Sequence, residues 1–302
     1  MISRYSAHGL TWIDLESPTP EETAHIVEEF GIPSLVGQEL VDHTMRSKVD
    51  LYPDFLYLVL HFPLIEDQDK EQEIDFIVGQ KFMITVRYES IRAIDSFKKI
   101  FERHTLGAQM AMTAHGTFLF MQLTKLLYRS LFHQLEAMTD TLKNIESKIF
   151  TKNQVSIVRD ISKVSRALLD FKQSTRFHGE VLASYESASK RLFGEEYAYY
   201  AEVATSEYKK VSSILESHRD VINELQRTND TLLSTKSNEI MKNFTIMTFV
   251  MLPLTLITGI FGMNTVPDLI FIKSFEDFFF IIGVMGVTGL VLFLFFKIRR
   301  WI

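Results

Sequence analysis

Three hydrophobic patterns follow one another along the chain. Up to about residue 105 the pattern is mixed. LTWIDL (Leu10 to Leu15) alternates as a strand does, and Ser17-Pro-Thr-Pro opens a helix over EETAHIVEEFG, with Glu21 and Glu22 in the first turn where they suit the helix dipole. FLYLVLHF, EIDFIVG and KFMITVRY then read as three β-rich runs, the last two joined as a hairpin at Gly79-Gln80. This predicts an α/β domain over residues 1–105. From Gly116 onward the apolar residues recur at three-four spacing among charges, predicting helices over 117–150 and 153–192, so that residues 106–195 form helical arms. Gly194 separates these from a third helix starting near Glu196, which meets no proline or glycine before the third pattern begins.

That third pattern is continuous apolarity. Phe244 to Met263 gives 20 residues without a charge and Phe278 to Phe296 gives 19. At about 1.5 Å per residue each spans roughly 28–30 Å, the thickness of a bilayer's hydrocarbon core. Both read as membrane spans. The stalk helix and first span together cover 196–263, a connection covers 264–277, and the second span with its tail covers 278–302. Lys236 and Lys242 precede the first span and Lys297, Arg299 and Arg300 follow the second, whereas the connection carries Asp268, Lys273, Glu276 and Asp277. The positive-inside rule therefore puts both termini in the cytoplasm and the connection outside. A helix from Glu196 to Phe261 is about 98 Å long and needs neighbours, either the shorter helices folded back on it or other copies of itself.

Composition narrows the chemistry. A net charge of -6 gives no overall bias toward nucleic acid, and the absence of cysteine excludes disulfides and thiolate metal sites. The nine histidines show no metal-ligand spacing, and no nucleophile elbow or phosphate loop is present, so the sequence offers nothing for an enzyme. MISRYSAHGLTWIDL has no apolar core of the kind a cleaved signal peptide needs.

The register of the first span carries the functional information. Counting back from Gly262 by alternating three and four gives Gly259, Thr255, Leu252, Thr248, Thr245, Met241 and Asn238, while Ile246, Val250, Leu254, Ile257 and Ile260 fill much of the remainder. Small and hydroxylated residues at this spacing suit close packing of membrane helices and equally a water-lined pore, so the seam by itself fits either. Pro253 need not end the helix, since in a membrane neighbouring helices and threonine side chains satisfy the freed carbonyl.

Gly262-Met263-Asn264 after a phenylalanine, at the end of the first of two C-terminal spans, resembles the GMN signature of the CorA-type divalent cation channel family. The resemblance extends to Ser237-Asn-Glu-Ile-Met-Lys242 before the span, to Leu252-Pro-Leu-Thr255 and Thr258-Gly259 within it, to the basic cluster with Trp301, and to Thr11-Trp-Ile-Asp14 and Lys48-Val-Asp50 in the N-terminal region. It implies a funnel-shaped homopentamer in the cell (inner) membrane: an α/β cytoplasmic domain, a long helical stalk and two C-terminal transmembrane helices, with five first spans around one pore. The ion it implies is Mg²⁺, with Co²⁺ or Ni²⁺ also passing. Gly262, Met263 and Asn264 become the selectivity filter, and Asn238, Met241, Phe244, Thr248, Leu252, Thr255 and Gly259 become pore-lining. Lys297, Arg299 and Arg300 become a basic cytoplasmic ring. The seam count puts Thr245 toward the lumen where the family pattern points to Phe244, which with Met241 and Leu252 would form a hydrophobic gate.

Two departures bear on mechanism. The loop after GMN is the short Thr265-Val-Pro-Asp-Leu269, with Val and Asp where the family has Met and Glu. Gln38 and Glu39 stand where magnesium-gated members commonly carry two acids that bind regulatory Mg²⁺ between subunits; Glu202 or Glu207 on the stalk is the expected partner. A zinc transporter of the same superfamily, proton-linked or not, fits the same signature. A membrane-anchored coiled-coil scaffold or sensor fits the stalk and spans but has no need of Asn264.

Overall fold

The computed structural model describes residues 1–44, 46–63, 71–102, 114–150, 154–262, 275–299 and Trp301; the side chains of residues 154, 155 and 275–277 are outside that description. The chain forms two compact units, Met1–Gln226 and Arg227–Ile302.

The first unit is built on a six-stranded sheet in the order β1-β2-β6-β5-β4-β3. Its strands are β1 (Ile2–Ala7), β2 (Leu10–Glu16), β3 (Lys48–Leu51), β4 (Phe55–Pro63), β5 (Glu71–Gly79) and β6 (Phe82–Arg87). Only β2 and β6 pair in parallel; every other neighbouring pair is antiparallel, including the β5–β6 hairpin expected at Gly79-Gln80. FLYLVLHF does not alternate because β4 is covered on both faces, which makes nearly every position a core position.

Helices α1 (Pro20–Phe30) and α2 (Ser34–Glu39) cover one face. They bring Ile26, Val36 and Leu40 onto Ile13, Tyr57, Val59, Ile77 and Val86. Thr19 caps α1 with a reciprocal box: its Oγ1 accepts the Glu22 amide and the Glu22 carboxylate accepts the Thr19 amide. The opposite face packs against α3 (Arg92–Glu102), α4 (Gly116–Lys148) and α6 (His178–Phe193), with ring pairs Trp12–Phe97, Phe76–Phe120 and Phe120–Tyr185 at 4.7, 5.2 and 4.3 Å. At the start of α4 a Cβ on Gly116 would lie 2.1 Å from the Gly79 carbonyl oxygen, so glycine is what lets this helix touch the β5–β6 turn.

The helix expected over 153–192 is two helices, α5 (Gln154–Ser174) and α6. The break has a tertiary cause. His178, fully buried, donates from Nε2 to the His61 carbonyl on β4 at 2.8 Å, and its Nδ1 accepts from Tyr128 at 2.9 Å. Burial pushes its pKa down to about 3, so the ring is neutral. A continuous helix would lose these two bonds. The mixed region also holds four short elements that the pattern did not reveal: β1, β3, α2 and α3.

One helix, α7, runs unbroken from Glu195 to Phe261, and α8 covers Phe275–Ile298. Ala201, Ala204, Val211, Leu215 and Ile222 of α7 are buried in the first unit. In the second unit α7 continues through Pro253. Both α7 and α8 contain stretches long and apolar enough to cross a membrane.

Candidate functional site

Within the second unit the faces of α7 are sharply different. Ile246 is buried, and Val250, Pro253, Leu254 and Ile257 are half-buried. Phe249, beside this stripe, meets the buried ring of Phe296 on α8 at 6.4 Å, so the second apolar helix lies on that side. At about 100° per residue, Met241, Thr248, Leu252, Thr255 and Gly259 lie on roughly the opposite side. All five are exposed, Leu252 at 63%. No atom lies within 4 Å of a Cβ built on Gly259, and an open groove there is lined by Leu252, Thr255, Leu256, Gly259 and Ile260.

The hydroxyls along this helix have their protons committed. Thr245, Thr248 and Thr255 each donate to the carbonyl four residues back, at 2.8, 2.9 and 2.9 Å. What they offer outward is therefore oxygen lone pairs, a row of acceptors. Phe244 and Thr245 flank the exposed seam on its two sides; Phe244 is 63% exposed and Thr245 half-buried. Asn238 is exposed one turn before Met241. Gly262 donates to the Thr258 carbonyl at 2.9 Å, continuing the hydrogen-bonding of the last turn. Met263 and Asn264, like the loop through Leu269 and Arg300 near the C-terminus, lie outside the described residues. Lys297 lies in the last turn of α8, and the Arg299 guanidinium sits 5.9 Å from the Phe295 ring.

In the first unit Glu39 closes α2 and pairs with Lys48 at 2.7 Å, which also holds Asp50 at 2.8 Å. Glu207 pairs with Lys210 at 2.8 Å, and Glu202 is exposed. Among the described residues no three His, Cys, Asp or Glu side chains of one chain form a metal-holding group. One cluster escaped the sequence reading: Glu73 and Asp75, buried on β5 beside His43 and His61. The signal was two acids at alternate positions in EIDFIVG, a run otherwise read only as a strand.

Comparison with known proteins settles the class. The model of the CorA-like Mg²⁺ transporter protein family matches residues 7–300. The chain belongs to that family. It is 24% identical over 298 residues to the cobalt/magnesium transport protein CorA of Thermotoga maritima, a match covering 97% of this chain and 83% of that one. Among solved structures, the complete CorA magnesium transporter of Methanocaldococcus jannaschii superposes with a TM-score of 0.83 at 22% identity, over 97% of this chain and 92% of that one. The ZntB cytoplasmic domain of Vibrio parahaemolyticus superposes at 0.58 and 15% identity, over 76% of this chain and 88% of that domain. The fold is thus that of a CorA-type transporter: an α/β domain, a long helix and two C-terminal apolar helices. Its family is one of membrane ion transporters and not of enzymes.

Proposed function

We propose that five copies of this chain enclose a pore lined by the exposed seam of α7, and that the pore conducts hydrated Mg²⁺, with Co²⁺ or Ni²⁺ also admitted, across the cell membrane. The observation that carries the reading is the opposition of two faces of α7: a partly buried apolar stripe, beside which Phe249 meets Phe296 of α8, and an uncovered face that bears threonine acceptors among its apolar residues. The first-shell waters of a divalent cation point their hydrogens outward and need acceptors, which threonine oxygens with committed protons supply. Asn264 completes the path with a ring of amide oxygens at the outer mouth, on Gly262 and Met263. Met241, Phe244 and Leu252 form the apolar gate. Asn238 lines the inner end, and Lys297, Arg299 and Arg300 form a basic ring beside it. Both termini are cytoplasmic.

Residues 1–105 and the arms 106–195 are the cytoplasmic machinery, 196–263 the stalk and pore helix, 264–277 the outer loop, and 278–302 the second span and basic tail. Because Val266 and Asp268 depart from the family pattern in that loop, zinc transport, proton-linked or passive, is the competing reading. Flux into liposomes reconstituted with the protein, with Mg²⁺, Zn²⁺ and Co²⁺ offered separately and a proton gradient imposed or collapsed, separates the two. Mg²⁺ flux indifferent to the proton gradient is expected; gradient-dependent Zn²⁺ flux without Mg²⁺ flux overturns the assignment.

For regulation, Glu39 bridges through cytoplasmic Mg²⁺ to Glu202 or Glu207 of a neighbouring copy and holds the closed state. A ligand shifts a conformational equilibrium only by its differential affinity for the two states. Glu39→Ala is therefore expected to shift the inhibition of flux by cytoplasmic Mg²⁺ to higher concentration, not merely to change the maximal rate. Superimposable curves for the variant and the parent would remove Glu39 from the gate.

A further inference from the structure

Strand β5 places Glu73 and Asp75 on one face of the sheet, exposed by only 4% and 0%. Asp75 Oδ2 accepts from the Tyr57 hydroxyl at 3.4 Å, Oδ1 is buried with no hydrogen-bond partner, and Glu73, two positions earlier in the strand, is its neighbour on that face. Glu73 in turn accepts the Thr44 amide on both oxygens, at 3.0 and 2.8 Å, with His43 Nδ1 3.4 Å away. His61 Nε2 donates to the Thr44 carbonyl at 2.8 Å, which leaves its Nδ1 to accept from Ser47 at 3.0 Å. Thr44, in the connection from α2 to β3, is thereby held at both its amide and its carbonyl.

Two buried carboxylates that neighbour each other on one face of a strand do not both ionise unless a cation joins them. On this side of the sheet Lys48 is bound to Glu39 and Asp50 and lies over the Tyr57 ring at 5.0 Å. Arg87, in register with Ile74, is on the other face and is bound to Asp14 and Glu16. We propose that Glu73 and Asp75 share one proton and that this proton pins a latch: with it Asp75 donates to Glu73, which holds the Thr44 amide; without it two like charges face each other and Thr44 is released.

The surroundings act in the same direction. Burial, then the charge of Glu73, push the Asp75 carboxyl well above the ordinary carboxylate range. Burial and the Asp75 charge likewise raise the hydroxyls of Tyr57 on β4 and Tyr88 after β6, so both stay protonated, and Tyr88 donates to the Leu40 carbonyl at 3.3 Å. From the α2 side Glu39 and Asp42 add negative charge near the Asp75–Tyr88 pair. His43, its ring 3.9 Å from that of Tyr88, adds a cation beside Glu73 when protonated. Glu71 lines the mouth of the pocket with His43, Thr44 and His61. From α1 and β6 the cover is Ile26 and Val86, which do not titrate. Behind β4, His178 is neutral and binds the His61 carbonyl.

The sign follows from the raised acid: the latched state holds a proton that the open state releases, so the latch is fully stabilised in acid and weakens as pH climbs through the raised value. Nothing in this depends on which ion the membrane helices carry.

The test is hydrogen exchange of the full-length protein in detergent, read by mass spectrometry on peptides spanning 40–44 across a pH series and corrected for intrinsic exchange. Protection at Thr44 is expected to fall as pH rises in the parent. It should be independent of pH in Asp75→Asn, whose amide donates permanently to Glu73. Protection independent of pH in the parent, or an unchanged pH dependence in Asp75→Asn, overturns the latch. Infrared titration of the parent with ¹³C-labelled aspartate supplies the check if that variant fails to fold. A protonated aspartate band persisting above the ordinary carboxylate range, and titrating at lower pH in Glu73→Gln, is expected; absence of the band overturns the shared proton.

Discussion

Asn264→Ala is expected to abolish Mg²⁺ uptake in proteoliposomes, down to the rate of protein-free vesicles, while the assembled protein elutes unchanged from a sizing column. Mg²⁺ dehydrates reluctantly and keeps several waters, so a filter for it works by hydrogen-bonding the hydrated ion and not by stripping it. In the proposed pentamer five neutral amide oxygens would do this without holding the ion too long, whereas five alanine methyls would offer the hydrated ion no acceptor. The change leaves the partly buried stripe from Ile246 to Ile257 untouched, so assembly has no reason to fail. Uptake at the parental rate by the variant would sink the filter assignment, and loss of assembly would instead make Asn264 a packing residue.

How much of this was legible beforehand depended on the range of the interaction that fixes each feature. The two spans were plain because 20 and 19 uncharged residues in a row are a bulk property that no tertiary contact alters. The long helix was plain for a similar reason, since between Glu195 and Phe261 only Pro253 and Gly259, both inside the apolar span, oppose it. The break at residues 175–177 was not legible: FKQSTRFHGE carries no proline, its glycine falls inside α6, and the helix stops because His178 finds Tyr128 fifty positions earlier and His61 on β4. β3 was missed because it is only four residues long, and β1 because ISRYSA is half-exposed and polar.

The site divides in the same way. The seam from Asn238 to Gly262 was readable as a period of three and four, but close packing and a lumen were equally good explanations of it. Only the burial of Ile246 and its neighbours toward α8 says which side of the helix is already taken. The GMN motif was readable as a signature and its family is established, whereas the pairing of Glu73 with Asp75 needed the fold, because an acid in a strand reads as an exposed position until both faces are known to be covered.

Leu252→Ser is expected to raise flux and to admit monovalent cations. Leu252 occupies the middle of the exposed seam, with Thr248 one turn before it and Thr255 one turn after, so it interrupts a row of acceptors with an apolar side chain. In the proposed pentamer five leucines at one level of the pore would exclude water by dewetting, and an ion that must keep its waters cannot cross a dry segment. Serine keeps the level wet, and its hydroxyl, bonded back to its own helix as the neighbouring threonines are, presents a lone pair to the lumen. A barrier lowered by about 1.4 kcal/mol raises flux about tenfold, and a rise of at least that size is the expected result. It should be measured as Mg²⁺ and K⁺ flux at low cytoplasmic-side Mg²⁺ and again at high, because a gate that no longer dries should leak even where the cytoplasmic units favour closure. Unchanged flux at unchanged reconstitution would mean that Leu252 faces lipid or a neighbouring α8, and the seam would then be a packing surface whose threonines bond only to their own helix.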